Sequence, residues 1–159
     1  MGFHNLAAVT TTQRVKPDGT NWETTAATGT ITSGTIDTLG YDGIHITTTL
    51  GTVTSTGTIS QTFNSSPDAS TWSAMKYASA PGQTNGTTIT ATAGSTNTKQ
   101  KIVVDIYRPT ARYVQVVTVL AVANTVIDDM TVVLYKSQDN AAAVDATVAT
   151  QLIVNHPSN

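Results

Sequence analysis

Lys101-Ile102-Val103-Val104-Asp105-Ile106-Tyr107, then Arg112-Tyr113-Val114-Gln115-Val116-Val117-Thr118-Val119-Leu120-Ala121-Val122, then Thr125-Val126-Ile127-Asp128-Asp129-Met130-Thr131-Val132-Val133-Leu134-Tyr135 is the stretch that decides the fold. Val and Ile dominate it, and their stiff, branched side chains pack well on a pleated sheet. Each run is short, alternates apolar with other residues, and ends at a turn-forming cluster, so the stretch predicts three successive strands.

Working toward the N-terminus, the same two signals recur with threonine in place of valine. Thr accounts for 33 of the 159 residues. Strands are predicted over Ala7–Val15, closed by Lys16-Pro17-Asp18-Gly19, then over Trp22–Thr32 and Thr35–Leu39, separated by Ser33-Gly34. Tyr41-Asp42-Gly43 turns the chain into Ile44–Leu50, with Ile44, Ile46 and Thr48 on one face and His45 and Thr47 on the other. Thr56–Asn64 places Ile59, Gln61 and Phe63 opposite Thr58, Ser60 and Thr62, ahead of a turn at Asn64-Ser65-Ser66-Pro67-Asp68. Trp72–Tyr77 reads as a short strand or bend, and Thr87–Ala93 as a polar edge strand. Only a turn around Ser70–Met75 and the Ala-rich Ala141–Ala149 have helical character. Short strands spaced by turns, with no long helix between them, predict a sandwich or barrel of antiparallel strands.

Bulk composition narrows the function. A chain of this length buries roughly 70% of its extended surface and needs neither disulfides nor metal to fold. Charged residues make up 11% and the formal net charge is -2, with no basic run, so the electrostatic footprint of a nucleic-acid binder is missing. Without Cys there is no thiolate nucleophile, thiolate metal site or disulfide. The start Met1-Gly2-Phe3-His4-Asn5-Leu6 lacks the pattern of a secretory signal, and the longest apolar stretch, Val114–Ala123, falls short of the roughly 20 residues of a spanning helix. The expectation is a soluble protein made in the cytoplasm, with no membrane and no nucleic-acid partner.

Chemistry-bearing motifs are sparse. His4, His45 and His156 form no pair at metal-ligand spacing, and Asp128-Asp129 reads as a solvated bend. No nucleophile elbow, phosphate-cradling glycine loop or calcium loop is present, so the chain reads as non-enzymatic, with no cofactor and no metal. Asn64-Ser65-Ser66 and Asn85-Gly86-Thr87 match the glycosylation pattern as chance products of a Ser- and Thr-rich chain. Trp22, Trp72, Tyr77, Tyr107, Tyr113 and Tyr135 suit either core and subunit interfaces or stacking on sugar rings.

Two stretches together resemble a known family. Tyr41-Asp42-Gly43-Ile44-His45-Ile46, Leu50-Gly51-Thr52, Gln61 to Asp68 and Ser70-Thr71-Trp72 resemble a strand, Gly-turn, strand, S-x-D-x-S-x-W pattern of tailed-bacteriophage virion proteins. Val103 to Pro109 with Arg112-Tyr113-Val114-Gln115-Val116 is similar to the strand pair that follows it in those proteins, although Gln115 stands where a second basic residue is common. The likeness spans roughly residues 36–136. It implies an all-β, antiparallel jelly-roll-like β-sandwich acting as a capsid decoration (cement) protein, often a homotrimer, bound to the major capsid protein on the outer face of the virion. In that frame residues 1–136 form the domain, with an N-terminal arm over about 1–9, and 137–159 form a C-terminal arm. Phe3, Leu6, Val9, Leu152, Ile153 and Val154 are the expected oligomer or capsid contacts; Asp68, Arg112 and Tyr113 are structural. Gln151-Leu152-Ile153-Val154 is too apolar for a solvated tail and is expected to pair with a sheet or a neighbouring subunit. Arg112 is expected to pair with Asp105 or an exposed carboxylate. The alternative is a receptor- or glycan-binding module of a tail or fibre, with Trp72 and Tyr77 as its platform.

Overall fold

The computed structural model describes residues 10–25, 27–77, 87–88, 90–94, 99–136 and 150–155. The described residues are all-β, in twelve strands: β1 Thr10–Arg14, β2 Ala27–Thr32, β3 Ile36–Asp37, β4 Gly43–Val53, β5 Thr58–Ser66, β6 Ser73–Ala74, β7 Lys76–Tyr77, β8 Thr87–Thr88, β9 Thr90–Gly94, β10 Lys101–Tyr107, β11 Tyr113–Tyr135 and β12 Thr150–Asn155. Ten of them form one curled sheet, and β7 pairs with β8 in a separate ribbon.

The organising element is β11. Residues 113–121 pair antiparallel with β5 on one side and with β2 and β3 on the other, whereas residues 125–135 pair with β4 and β1. The two predicted strands Arg112–Val122 and Thr125–Tyr135 are thus one strand bent at a corner. Val122 has φ 69°, a left-handed conformation that breaks the extended path without ending it. The chain running along β11 bends at the same level: β4 and β5 are joined by Thr54-Ser55-Thr56-Gly57, closed by the Gly57 N–H donating to the Thr54 carbonyl at 2.7 Å. Both chains turn together, so the sheet curls over and its two halves share one core.

That core follows the period of two. Ile44, Ile46 and Leu50 of β4, Ile59 and Phe63 of β5, Ile102, Val104 and Ile106 of β10, and Val114, Val116 and Leu120 of β11 are buried in a single cluster. Beyond the corner the alternation slips: Ile127 and Met130, three apart, are both fully buried. A register shift between Ile127 and Asp129 accommodates the extra residue as a bulge, so Asp128-Asp129 lies within a strand and is not a bend. The Arg14 Nε donates to Asp129, tying β1 to this irregularity.

Three polar side chains sit at the centre. Gln61 is fully buried, and its Nε2 donates to Thr48 Oγ1 at 3.0 Å and Thr118 Oγ1 at 3.3 Å. These residues come from β5, β4 and β11, so one amide links both halves of the curl. A satisfied buried polar network fixes register in a way that interchangeable valines do not.

Local boundaries differ from the sequence reading where turns intervene. Trp22 lies in a bend and the strand expected from it starts at Ala27, because Asp18 folds the chain back by accepting the Thr20 and Asn21 N–H groups. Ser70–Met75 is not helical; its end is strand β6. Ala141–Ala149 and the arm 1–9 lie outside the described residues. No helix among the described residues is long and apolar enough to cross a membrane. At the far edge of the sheet, β12 pairs in parallel with β10, Leu152 level with Val104 and Ile153 with Asp105.

Candidate functional site

One end of the curled sheet is built from three connections: residues 38–42, 67–72 and 108–112. Strand pairing brings them together, since Tyr113 of β11 is level with Asp37 of β3 and Ser66 of β5. In the first, Thr38-Leu39-Gly40-Tyr41 is a turn closed by the Tyr41 N–H donating to the Thr38 carbonyl at 3.0 Å. Gly40 takes φ 84° at its third position, where a left-handed residue is required. The turn presents Leu39 to solvent at 65% exposure. The Leu39 N–H donates to Asp37 Oδ1, so the apolar side chain stands on a fixed base.

The other two connections are equally well tied. The Thr38 N–H and hydroxyl both donate to the Arg112 carbonyl, at 2.9 and 2.6 Å. Arg108 adopts φ 51° before Pro109, held by its N–H donating to the Asp42 carbonyl at 2.6 Å. Thr110 Oγ1 bonds Ser65 Oγ at 2.6 Å. Leu39, Tyr41, Arg108, Pro109 and Arg112 line a shallow depression of about 360 Å³.

Charge at this rim is organised by Arg112. Its Nε and Nη2 donate to the two Asp37 oxygens at 2.9 and 2.6 Å, a two-pronged pair. That hydrogen bonding, helped by the Leu39 N–H, holds the Asp37 carboxyl down at about 2. Arg112 therefore pairs with the exposed Asp37 rather than with Asp105. Its guanidinium also lies 4.8 Å from the Tyr113 ring centre, and that of Arg108 5.2 Å from Tyr107.

Asp68 braces the neighbouring loop: one oxygen accepts from the Thr71 N–H at 2.8 Å, the Ser70 N–H at 2.9 Å and the Ser66 hydroxyl at 2.8 Å. Those donors hold its carboxyl well below the usual carboxylate range, the Thr71 N–H foremost. Trp72 follows directly and is half-buried, beside Ser73, which pairs with Ser65. Tyr77 lies in β7 and pairs with Thr87. The structure thus gathers Asp68, Trp72, Arg112 and Tyr113 at one end, with Leu152, Ile153 and Val154 on the β12 edge; Phe3, Leu6 and Val9 lie outside the described residues. Leu39 and Arg108 were not singled out from sequence. The available signal was a large apolar residue inside turn punctuation, Asp37-Thr38-Leu39-Gly40-Tyr41.

Two other clusters carry chemistry. On the outer face of the sheet Asp105 accepts from the Tyr135 hydroxyl and bonds His45 Nδ1 at 3.2 Å. Burial first, then Asp105, pushes the Tyr135 phenol upward, and its ring packs where a Gly43 side chain would stand. Trp22, 45% exposed, has Arg14 and Lys16 at 5.2 and 5.5 Å from its ring centre. Among the described residues no three His, Asp or Glu gather where they could hold a metal ion.

Comparisons with protein families, characterised proteins and solved structures find no match for this chain.

Proposed function

We propose that the protein is a non-enzymatic phage virion structural protein, a decoration protein whose jelly-roll-like sandwich assembles as a trimer on the outer head surface and reinforces the shell. The observation that carries a contact role is the rim of connections at residues 38–42, 67–72 and 108–112. It displays Leu39 on a turn whose backbone is already bonded in place, flanked by two arginines and two tyrosines. Macromolecular interfaces draw most of their energy from a few such anchors, and pre-ordered ones lose little entropy on binding. A shallow, open rim suits a protein surface better than a small molecule, which takes a deeper enclosure. The virion class comes from the resemblance over residues 36–136.

Light scattering of the purified chain, followed by co-sedimentation with heads of the phage that encodes it, tests this. A solution mass near three times 16.6 kDa and saturable binding to heads are the expected results. A strict monomer that ignores heads would reject the reading, and a glycan array would then test Trp72, half-buried beside the Asp68-braced loop, as a sugar platform.

A further inference from the structure

The place of β12 in the sheet carries an inference about how copies are held together. It rests on the proposal that the chain assembles with itself. Strand β12 ends the sheet order and pairs in parallel with β10, unlike the antiparallel pairs that join the other strands. Tyr135, where β11 ends, is level with Gly43; Gly43 is level with Tyr107, and Tyr107 with Asn155. The chain therefore leaves β11 at the Asn155 end and enters β12 at Thr150, the opposite end.

A parallel neighbour is reached by a crossover, never by a tight turn. Here the return covers about 17 Å along the strands, at about 3.3 Å per residue, and three strand spacings of about 4.8 Å across β4 and β10. The fourteen residue steps from Lys136 to Thr150 reach up to about 46 Å, at about 3.3 Å each. That is roughly twice the direct path. The link is thus long enough for β12 to reach the β10 edge of its own chain or that of an adjoining copy. The slot must be filled by one or the other, because β10 without β12 would be an edge strand with a row of unpaired N–H and C=O groups, a template for uncontrolled pairing.

We propose that β12 is exchanged between copies, Thr150–Asn155 of one chain filling the β10 edge of the next in the same register. Exchange of an identical element preserves every strand contact and ties subunits together by non-covalent pairing of a strand that belongs to the neighbouring chain.

Because the chain has no Cys, one disulfide can report it. Val103 is level with Gln151, and paired strands about 4.8 Å apart lie within disulfide range. Chains carrying Val103→Cys alone and Gln151→Cys alone are mixed unfolded, refolded together, oxidised and run without reductant, with each chain alone as control. The double variant is oxidised separately, and light scattering gives the mass of the unmodified protein. Exchange predicts a mixed-chain band near twice 16.6 kDa, absent from either chain alone. An oligomer with no mixed band, whose double variant closes within one chain, would overturn exchange and leave the virion reading standing. A monomer that closes within one chain would overturn both. A double variant that forms no disulfide would refute the β10–β12 register, and exchange with it.

Discussion

Val122 sits at φ 69° with 74% of its surface in water. Left-handed backbone costs a residue with a Cβ about 1–2 kcal/mol, and a branched Cβ makes it a marked outlier. Glycine escapes that cost but loses about 0.5–1 kcal/mol of backbone entropy on folding. Val122→Gly is therefore expected to stabilise the isolated chain by about 0.5–1 kcal/mol, raising the thermal midpoint by roughly 2 °C. Calorimetry showing a lower midpoint would mean that the corner needs the valine for packing. Asp37 gives a pH prediction of the opposite kind. Its folded carboxyl titrates at about 2, against an ordinary value near 3.9, because Arg112 bonds the charged form. A depressed carboxyl contributes stability that is complete above about pH 4 and lost as pH falls toward 2. Asp37→Asn should flatten the fall of the thermal midpoint between pH 4 and 2, leaving the Asp68 share in place; an unchanged slope would remove Asp37 from the acid limb. Both groups are exposed, so added salt should shrink the effect.

Among the strands, the deciding contact is the bridge from Gln61 to Thr48 and Thr118. Gln61→Leu keeps most of the volume but strips both hydroxyls of the amide they bond, a loss of about 2–3 kcal/mol in urea unfolding. Thr48→Val and Thr118→Val added to it remove the stranded groups, and the triple variant should regain most of that loss. A triple variant as unstable as Gln61→Leu would show that volume, not hydrogen bonding, sets the cost. The alternation itself was legible: Lys101–Tyr107 is a strand over the predicted residues, and the inward faces of β4 and β5 follow from Ile44, Ile46, Ile59 and Phe63. What the sequence concealed was continuity. Ala123-Asn124 reads as a break between two strands because nothing local distinguishes a corner from a hairpin end. The pairing of β11 with both β4 and β5, which decides between them, is set by long-range register. The bulge at Asp128-Asp129 was hidden for the same reason.

For the whole molecule, the residues that the rim gathers are far apart in the chain, and only their turn chemistry was visible beforehand. Asp68 and Arg112 are named through the resemblance over residues 36–136; which partner Arg112 takes depends on β3 lying beside β11. Leu39 belongs to this scale, since exposure is a property of the assembled surface. Replacing it therefore separates folding from contact. Leu39→Ser with Arg108→Gly touches an exposed tip and a residue already at φ 51°, so stability should stay within about 0.5 kcal/mol of the parent. An anchor at an interface costs about 2 kcal/mol or more when truncated, roughly 30-fold in affinity for each contact. In the proposed trimer three linked rims would compound that loss, so the affinity for heads read by co-sedimentation should fall by more than 30-fold while the thermal midpoint holds. Binding that survives with the fold intact would move the contact surface off this rim and toward the β10 and β12 edge, where the mixed-chain disulfide reads the molecule independently.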